Sequence, residues 1–199
     1  MKLLYKNAIT IRTIEEKDKG SYLRLYSETD FGSELFGEPK PPIYYEEQII
    51  TDIIEKRIIS EEILILEKRN QLIGYAVVAR ESENIYHIGQ LVITRKERNK
   101  GYGTFLLQII KNLAANDNSN ITLECLTSAT SFFKKQGFEL IGGASYIFKN
   151  NNKSYKPGIS IFPPYDIIKQ EIEQSEKQRA KIFMDFLDSP LFKNITDML

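Results

Sequence analysis

Residues 91–107 read Leu-Val-Ile-Thr-Arg-Lys-Glu-Arg-Asn-Lys-Gly-Tyr-Gly-Thr-Phe-Leu-Leu, and they predict a strand, a tight turn and the start of a helix. Residues 91–93 are apolar and partly β-branched, which suits a buried strand. Gly101 and Gly103 allow backbone conformations closed to other residues and let a ligand approach the main chain. After the glycines, apolar side chains recur at helical spacing.

The start of the predicted helix is a candidate phosphate site. A helix N-terminus leaves several N–H groups unpaired and carries a partial positive charge, so it binds phosphate readily. Arg98 and Lys100 add formal positive charge at this point. The spacing differs from the dinucleotide fingerprint and from the P-loop, which needs Gly-Lys-Ser/Thr. We therefore predict that main-chain amides between Arg98 and Thr104 bind a phosphate group of another kind of ligand.

Two motifs point to one family. The spacing Arg98-x-x-Gly101-x-Gly103 resembles the acyl-CoA signature of the GNAT superfamily of N-acetyltransferases. Residues 132–138, Phe-Phe-Lys-Lys-Gln-Gly-Phe, are similar to the family's aromatic-aromatic-x-Lys-x-Gly-Phe segment, at the expected order and separation. The resemblance covers roughly residues 8–150. It implies an α/β (α+β) fold, in which helices flank a mixed, mostly antiparallel sheet.

The resemblance also implies the chemistry and the cofactor site. Acetyl-CoA would be the co-substrate, and the acetyl group would pass directly to a primary amine in a ternary complex. In the family, the strand before the turn splays away from its neighbour and pairs with the pantetheine arm. The residues that the resemblance implies for cofactor binding are Leu91, Val92, Ile93, Arg98, Asn99, Lys100, Gly101, Tyr102, Gly103, Thr104, Phe132 and Lys135. For Lys135, a purely solvated side chain is the alternative.

His87 is the candidate catalytic base. It lies eleven positions before Arg98, where histone-type members of the superfamily carry a glutamate base. Regular strand alternation predicts that His87 shares a face with Leu91 and Ile93. A neutral imidazole can accept a proton at physiological pH, directly or through water. The alternative is a histidine that only forms a hydrogen bond within the sheet.

The chain departs from the family at two polar positions. Phe133 stands where many members have a tyrosine that protonates the departing thiolate. Either Tyr102 or Tyr146 replaces it, or the thiolate leaves unaided, or the enzyme is slow. An asparagine that is often found after the preceding strand is also missing, and Thr127 and Ser128 are the nearest polar candidates. A CoA-binding interaction or regulatory module with little turnover is therefore the rival interpretation.

The predicted acceptor side contains an acidic loop. Residues 28–42 include four carboxylates before the first base, namely Glu28, Asp30, Glu34 and Glu38. The loop is either simply solvated or attracts a cationic amine. With the lysine-type resemblance of the motifs, this favours a protein lysine as acceptor, and a small amine such as a polyamine or an aminoglycoside is the alternative.

The remaining pattern predicts alternating strands and helices. Their expected positions are strands at 8–14, 62–67, 72–78, 86–94, 121–126, 138–141 and 145–148, and helices around 22–26 and at 44–59, 101–115 and 166–187. A short helix near 130–135 would be capped by Thr127 or Ser128. We expect a GNAT domain at 1–150 and a linker with a C-terminal helical extension at 151–199. The later half of that last helix would dock onto its own domain, a second copy or another protein.

Composition excludes several classes of function. The chain has 27 acidic and 27 basic residues, and a net charge of zero argues against a dedicated binder of nucleic acid or of membrane surfaces. One histidine and one cysteine cannot build a His/Cys zinc site, so no metal is expected. Cys125 lies in an apolar strand and should be a buried, inert thiol. Without a membrane-length apolar run or a signal peptide, we expect a cytoplasmic protein.

Overall fold

The computed structural model describes residues 2–5, 9–29, 43–150, 162–163 and 165–187. The chain divides into two compact units, Met1–Pro163 and Pro164–Leu199. Within the described part of the first unit, eight strands form one sheet. They are β1 (Lys2–Tyr5), β2 (Ile9–Thr13), β3 (Glu61–Lys68), β4 (Gln71–Ser82), β5 (Ile85–Ile93), β6 (Asn120–Glu124), β7 (Glu139–Gly142) and β8 (Ser145–Phe148).

The strands lie side by side in the order β1-β2-β3-β4-β5-β6-β8-β7. Neighbouring strands are antiparallel except for β5 and β6, which pair in parallel. The predicted mixed, mostly antiparallel sheet is therefore confirmed. The parallel pair needs a crossover connection, and a helix between β5 and β6 supplies it.

The helices of the first unit connect the strands. In the described residues they are α1 (Lys19–Ser27), α2 (Ile43–Ile54), α3 (Tyr102–Asn116) and α4 (Thr130–Lys135). The second unit contains α5 (Tyr165–Leu187). The apolar end of α5, residues 182–187, for which we predicted a docking face, lies outside the residues whose side chains the structure describes. None of the described helices combines the length and the apolar character that a membrane span requires.

Both faces of the central strands are buried. On one face, Ile63, Ile65 and Tyr75 pack in a single cluster with apolar side chains of α1 and α2. Leu64 and Leu66 point to the opposite face, and both are also fully buried. Helix α3 lies on that second face, because a Cβ at Gly103 would be 3.8 Å from Ile93. Because side chains on both faces of these strands are buried, the sheet is covered by helices on both sides.

Some local predictions need correction. The predicted β3–β4 hairpin is confirmed, and both residues of its turn, Arg69 and Asn70, have positive φ, as a type I′ turn requires. Helix α2 ends at Ile54 and not near residue 59, because Lys56 adopts a left-handed φ of +59°, through which an α-helix cannot continue. Thr127 begins a short 3₁₀ turn, and α4 starts after it without a side-chain cap. Strand β1 was not predicted at all.

One buried ion cluster ties β2 to its surroundings. The guanidinium of Arg12 donates to both carboxylate oxygens of Asp18, at 2.6 and 2.8 Å. It also donates to Glu67 on β3, and Arg12 is only 3% exposed. Burial alone would raise the pKa of Asp18, but hydrogen bonds from Arg12 and from the Glu15 N–H outweigh it and lower that pKa. The carboxylate is therefore held in its charged form.

Candidate functional site

A cleft of about 670 Å³ opens where β5 ends and α3 begins. Its walls come from the end of α1, from β5 and the turn after it, and from the region of α4. The lining residues are Glu28, Thr29, Leu91, Val92, Ile93, Arg95, Arg98, Asn99, Gly101, Gly103, Thr104, Leu126, Ala129 and Phe132. Nine of the twelve residues predicted to bind the cofactor therefore lie together around one cavity.

The parallel strands separate at this cleft. The β5–β6 ladder runs from Ile85 with Asn120 to Ile88 with Leu123, and then it ends. On its other edge, β5 stays paired with β4 as far as Ile93. Within the described residues, the backbone of residues 91–93 forms no ladder pair with β6. One edge of this strand segment is thus available to pair with an extended ligand.

The turn after β5 lines the same cleft and leads into the N-terminus of α3. A 3₁₀ turn at Arg95–Glu97 follows the strand, and Asn99 and Gly101 then adopt φ values of +61° and +85°. Helix α3 starts immediately afterwards, and its first intrahelical bond runs from the Phe105 N–H to the Gly101 carbonyl. The N–H groups of the first turn of α3 have no such partner within the helix. This is the arrangement that favours an anion.

Basic side chains surround the turn, in two different roles. Arg95 and Arg98 line the cleft, and the Arg98 Nε also donates to the Ile93 carbonyl at 3.0 Å, which fixes the end of β5. Lys100 does not line the cleft, since its Nζ lies 3.2 Å from Glu97. Hydrogen bonds from Lys68 and Lys100 lower the pKa of the Glu97 carboxyl.

Two more residues predicted for the cofactor lie away from the cleft. Tyr102 packs beside Lys68, whose Nζ is 5.2 Å from the ring centroid. Lys135 is exposed at the end of α4 and does not line the cavity. Neither side chain is therefore positioned on the cavity wall.

The wall opposite β5 is apolar. Phe132 lines the cleft and packs edge-to-face against Phe133, with centroids 5.0 Å apart. A Cβ at Gly103 would lie 3.6 Å from the Phe132 ring, which is an ordinary van der Waals distance, so the first turn of α3 packs directly beside Phe132. Phe133 is buried. Tyr102 and Tyr146 are the two tyrosines that could replace the missing acid, and Tyr146 is only 5% exposed and lies beside Thr130. Neither tyrosine lines the cleft.

Cys125 follows the end of β6 and is 6% exposed. Burial raises the pKa of its thiol, although a hydrogen bond with Thr130 acts in the opposite direction. A thiol held protonated is a poor nucleophile. The prediction of a buried, inert cysteine is consistent with this position.

A β-bulge changes the predicted direction of His87. Three facing pairs bracket the bulge: His87 with Ala79, Gln90 with Val77, and Val92 with Tyr75. Residues 75, 77 and 79 share one face of β4, so His87 shares that face with Gln90 and Val92. The prediction that His87 faces the same side as Leu91 is wrong, because the extra residue reverses the alternation.

The surroundings of His87 are polar. It is half-exposed, its Nδ1 lies 3.1 Å from the Thr122 Oγ1, and Glu81 is 3.7 Å away. Its side chain does not line the cleft. Among the four carboxylates of the predicted acidic loop, Glu28 lines the cleft, and the other three lie outside the described residues.

Several lining residues were not predicted from the sequence. Thr29 at the end of α1, Arg95, and Leu126 and Ala129 around the 3₁₀ turn before α4 complete the walls. Thr29 and Leu126 belong to no recognisable sequence motif, so their place in the cleft becomes apparent only from the fold. Gly89, isolated within a strand pattern, could have indicated the bulge.

The comparisons with known proteins agree with this geometry. Residues 41–151 match the acetyltransferase (GNAT) domain family, which is more than half of the chain. A search of curated proteins found no match. The chain therefore belongs to the GNAT acetyltransferase family.

Solved structures show the same fold at low identity. Ard1 from Thermoplasma volcanium is 20% identical, with a TM-score of 0.55 over 70% of this chain and 95% of that one. PaiA N-acetyltransferase from Thermoplasma acidophilum, in complex with coenzyme A, is 16% identical, with a TM-score of 0.56 over 70% and 96%. The spermidine N-acetyltransferase of Vibrio cholerae, a dodecamer, is 17% identical, with a TM-score of 0.53 over 70% and 90%. The architecture is thus the GNAT fold.

Proposed function

We propose that this protein is an N-acetyltransferase that transfers the acetyl group of acetyl-CoA to a primary amine in a ternary complex. The observation that carries the proposal is the separation of β5 from β6 beside a turn that lines the same cleft and leads into the N-terminus of α3. A strand edge suits the amide groups of a pantetheine arm, and the turn suits a diphosphate. When bound, acetyl-CoA supplies the activated acetyl carbon.

The residues present fit this co-substrate. The backbone of Leu91, Val92 and Ile93 would pair with the pantetheine arm, while the N–H groups from Asn99 to Thr104 would hold the diphosphate. The Arg98 N–H is donated to the Arg95 carbonyl instead. Support comes from Gly101, where a Cβ would meet nothing within 4 Å, so the cleft is open at the turn. The basic side chain of Arg98 adds charge complementarity.

We propose a basic amine as the acceptor, with a protein lysine as the first candidate. Glu28 on the cleft wall supports a cationic acceptor, because a carboxylate raises the local concentration of ammonium groups. A small polyamine is the other candidate, and the likeness to the spermidine N-acetyltransferase fold is compatible with it.

We propose His87 as a proton acceptor. An amine with a reference pKa of about 10.4 is protonated in neutral water and must lose protons to become an amide. His87 lies on the same sheet face as Val92, which lines the cleft, and it is half-exposed. Its contact with the Thr122 hydroxyl fixes the ring, which leaves the other ring nitrogen to exchange protons through water.

A CoA-binding module with little turnover is the second candidate function. It is favoured by the apolar wall opposite β5, where Phe133 is buried and no phenol lines the cleft among the described residues. Without a group that protonates the thiolate, the acetyl transfer would be slow.

A thiol-release assay separates the two functions. The protein is given acetyl-CoA with basic peptides, spermidine or an aminoglycoside, and the release is corrected for hydrolysis. An enzyme should release thiol with at least one amine, and both His87→Ala and His87→Gln should lower the rate by about 10²-fold, the usual contribution of an acid–base group. Gln retains a polar contact with Thr122 but cannot accept the proton. If CoA binds and no amine stimulates release, the module is the correct function.

A further inference from the structure

Three charged side chains join the turn after β5 to the end of β3. Glu97 is the last residue of the 3₁₀ turn, and its Oε2 accepts hydrogen bonds from the Lys68 Nζ at 3.1 Å and from the Lys100 Nζ at 3.2 Å. The Glu97 side chain is only 12% exposed, so the two lysines take the place of solvent around its carboxylate. We call Lys68, Glu97 and Lys100 the charged clamp. None of the three lines the cleft.

The charged clamp reaches across the sheet. Lys68 is the last residue of β3 and Glu97 follows β5, so β4 lies between their strands. The Lys68 Nζ also lies 5.2 Å from the centre of the Tyr102 ring, which is the distance of a cation–π contact. Tyr102 is the first residue of α3. Lys68 therefore contacts the residue before and the residue after the segment 98–101, and this segment is the middle of the turn.

The segment between these two contacts has an unusual backbone conformation. Asn99 and Gly101 both have positive φ, at +61° and +85°. A residue other than glycine keeps such a conformation only where its surroundings hold it. Lys100 lies between the two, and its ammonium group is bound to Glu97. The Glu97 N–H in turn donates to the Thr94 carbonyl at 2.9 Å, so the clamp connects the left-handed pair to the end of β5.

The charge of Glu97 has the wrong sign for a phosphate site. Hydrogen bonds from Lys68 and Lys100 lower the pKa of its carboxyl, so the group is charged at neutral pH. A carboxylate repels a diphosphate, and here it also neutralises two lysines that would attract one. Glu97 can therefore favour the binding of an anion at this turn only through the geometry that it imposes, and this gives its role a testable sign.

We propose that Glu97 is a positioning residue for the cofactor, which holds the turn after β5 through Lys68 and Lys100 in the shape that receives the diphosphate. Glu97 and Lys68 would act through the main chain of residues 98–101 and would not contact the ligand. A turn that is ordered before binding leaves the ligand less ordering entropy to offset. The inference rests on the proposed binding of acetyl-CoA at this turn, and it adds the side chains that preorganise it.

Glu97→Gln in the full-length protein tests the clamp. Glutamine keeps the length of the side chain and loses the charge that holds the two lysines. Glu83→Gln is the matched control, because it removes the same charge from an exposed residue at the opposite end of β5. Lys68→Met breaks the clamp from β3 and keeps the aliphatic part of the side chain. The measurements are the Kd values of CoA, ADP and pantetheine, amide hydrogen exchange in the free protein, and thermal unfolding.

We expect Glu97→Gln to weaken the binding of CoA and ADP about tenfold, which is the effect of ordering roughly one more backbone residue on binding. Pantetheine, which has no diphosphate, should bind as it does to the wild type. The amides of residues 98–101 should exchange faster in Glu97→Gln and in Lys68→Met. The double variant should lose less CoA affinity than the product of the two single losses, because both changes break the same contact. Glu83→Gln should match the wild type in every measurement.

A role of Glu97 as a charge alone predicts the opposite sign, namely tighter binding of CoA and ADP by Glu97→Gln. Tighter or unchanged binding would overturn the clamp and leave the proposed cofactor site standing. If Glu97→Gln does not fold, unchanged exchange of residues 98–101 in Lys68→Met would overturn it. A wild-type protein that binds neither CoA nor ADP would refute the proposed cofactor site, and hydrogen exchange would then decide separately whether Glu97 holds the turn.

Discussion

Replacing Gly101 by alanine tests the turn between β5 and α3 with a single methyl group. Gly101 has a φ of +85°, and a Cβ built there would meet nothing within 4 Å. Steric contact therefore adds nothing, and the cost is the left-handed backbone conformation itself, roughly 1–2 kcal/mol for an L-residue. For a chain of this size, each kcal/mol corresponds to a fall in Tm of about 2–4 °C.

Gly20 provides the matched control. It lies in α1, and a Cβ there would also meet nothing within 4 Å. Because its backbone is helical, Gly20→Ala should stabilise the protein by about 0.5–1 kcal/mol. The same methyl group should thus lower the Tm at Gly101 and raise it at Gly20, as measured by thermal or chemical denaturation.

The two variants should also differ in CoA affinity. Strain at Gly101 turns the N–H groups of the turn away from the cleft, so Gly101→Ala should weaken CoA binding about tenfold or more, equivalent to roughly 1.4 kcal/mol. Gly20→Ala should bind CoA like the wild type in isothermal titration calorimetry. A Gly101→Ala protein with a lowered Tm and wild-type affinity would refute the assignment of the diphosphate to this turn.

Two further substitutions test the surrounding structure. Gly74→Ala should destabilise the protein by about 1–3 kcal/mol and weaken CoA binding, because the new Cβ would lie 2.6 Å from the Val92 carbonyl oxygen. A free energy of unfolding equal to that of the wild type in chemical denaturation would contradict this. Asp18→Asn should lower the free energy of unfolding by about 2 kcal/mol near pH 7. Because folding lowers the pKa of Asp18, the stabilisation by its carboxylate is fully present above about pH 4, and it is lost as the pH falls through the pKa of Asp18 in the folded protein. In urea titrations from pH 2 to 7, the free energies of unfolding of the wild type and of Asp18→Asn should become equal in acid. Asp52→Asn, which removes an exposed ion pair with Arg57, is the control and should have little effect at any pH.

The parts of the site that are local in sequence were predictable. The spacing of Arg98, Gly101 and Gly103 sets a turn conformation within a few residues, so the phosphate turn appears directly in the pattern. The parallel β5–β6 pair follows from the helix that must connect the two strands. These two features define the cleft, and the family resemblance adds the ligand.

Features that depend on distant partners were not predictable. The direction of His87 depends on a bulge opposite Val77 and Val78 of β4, and strand alternation alone gives the opposite face. The burial of Glu46 depends on Tyr22, which is 24 residues away. A glutamate at the start of an amphipathic helix looks like any solvated first-turn acid until α1 packs over it.

Amide NMR spectra test the central claim that the N–H groups from Asn99 to Thr104 hold a diphosphate. CoA and ADP both carry a diphosphate, whereas pantetheine does not. The account predicts that the amide resonances of Gly101, Tyr102 and Gly103 shift with CoA and with ADP, while pantetheine shifts those of residues 91–93 instead. Unchanged turn amides in the presence of bound CoA would contradict it.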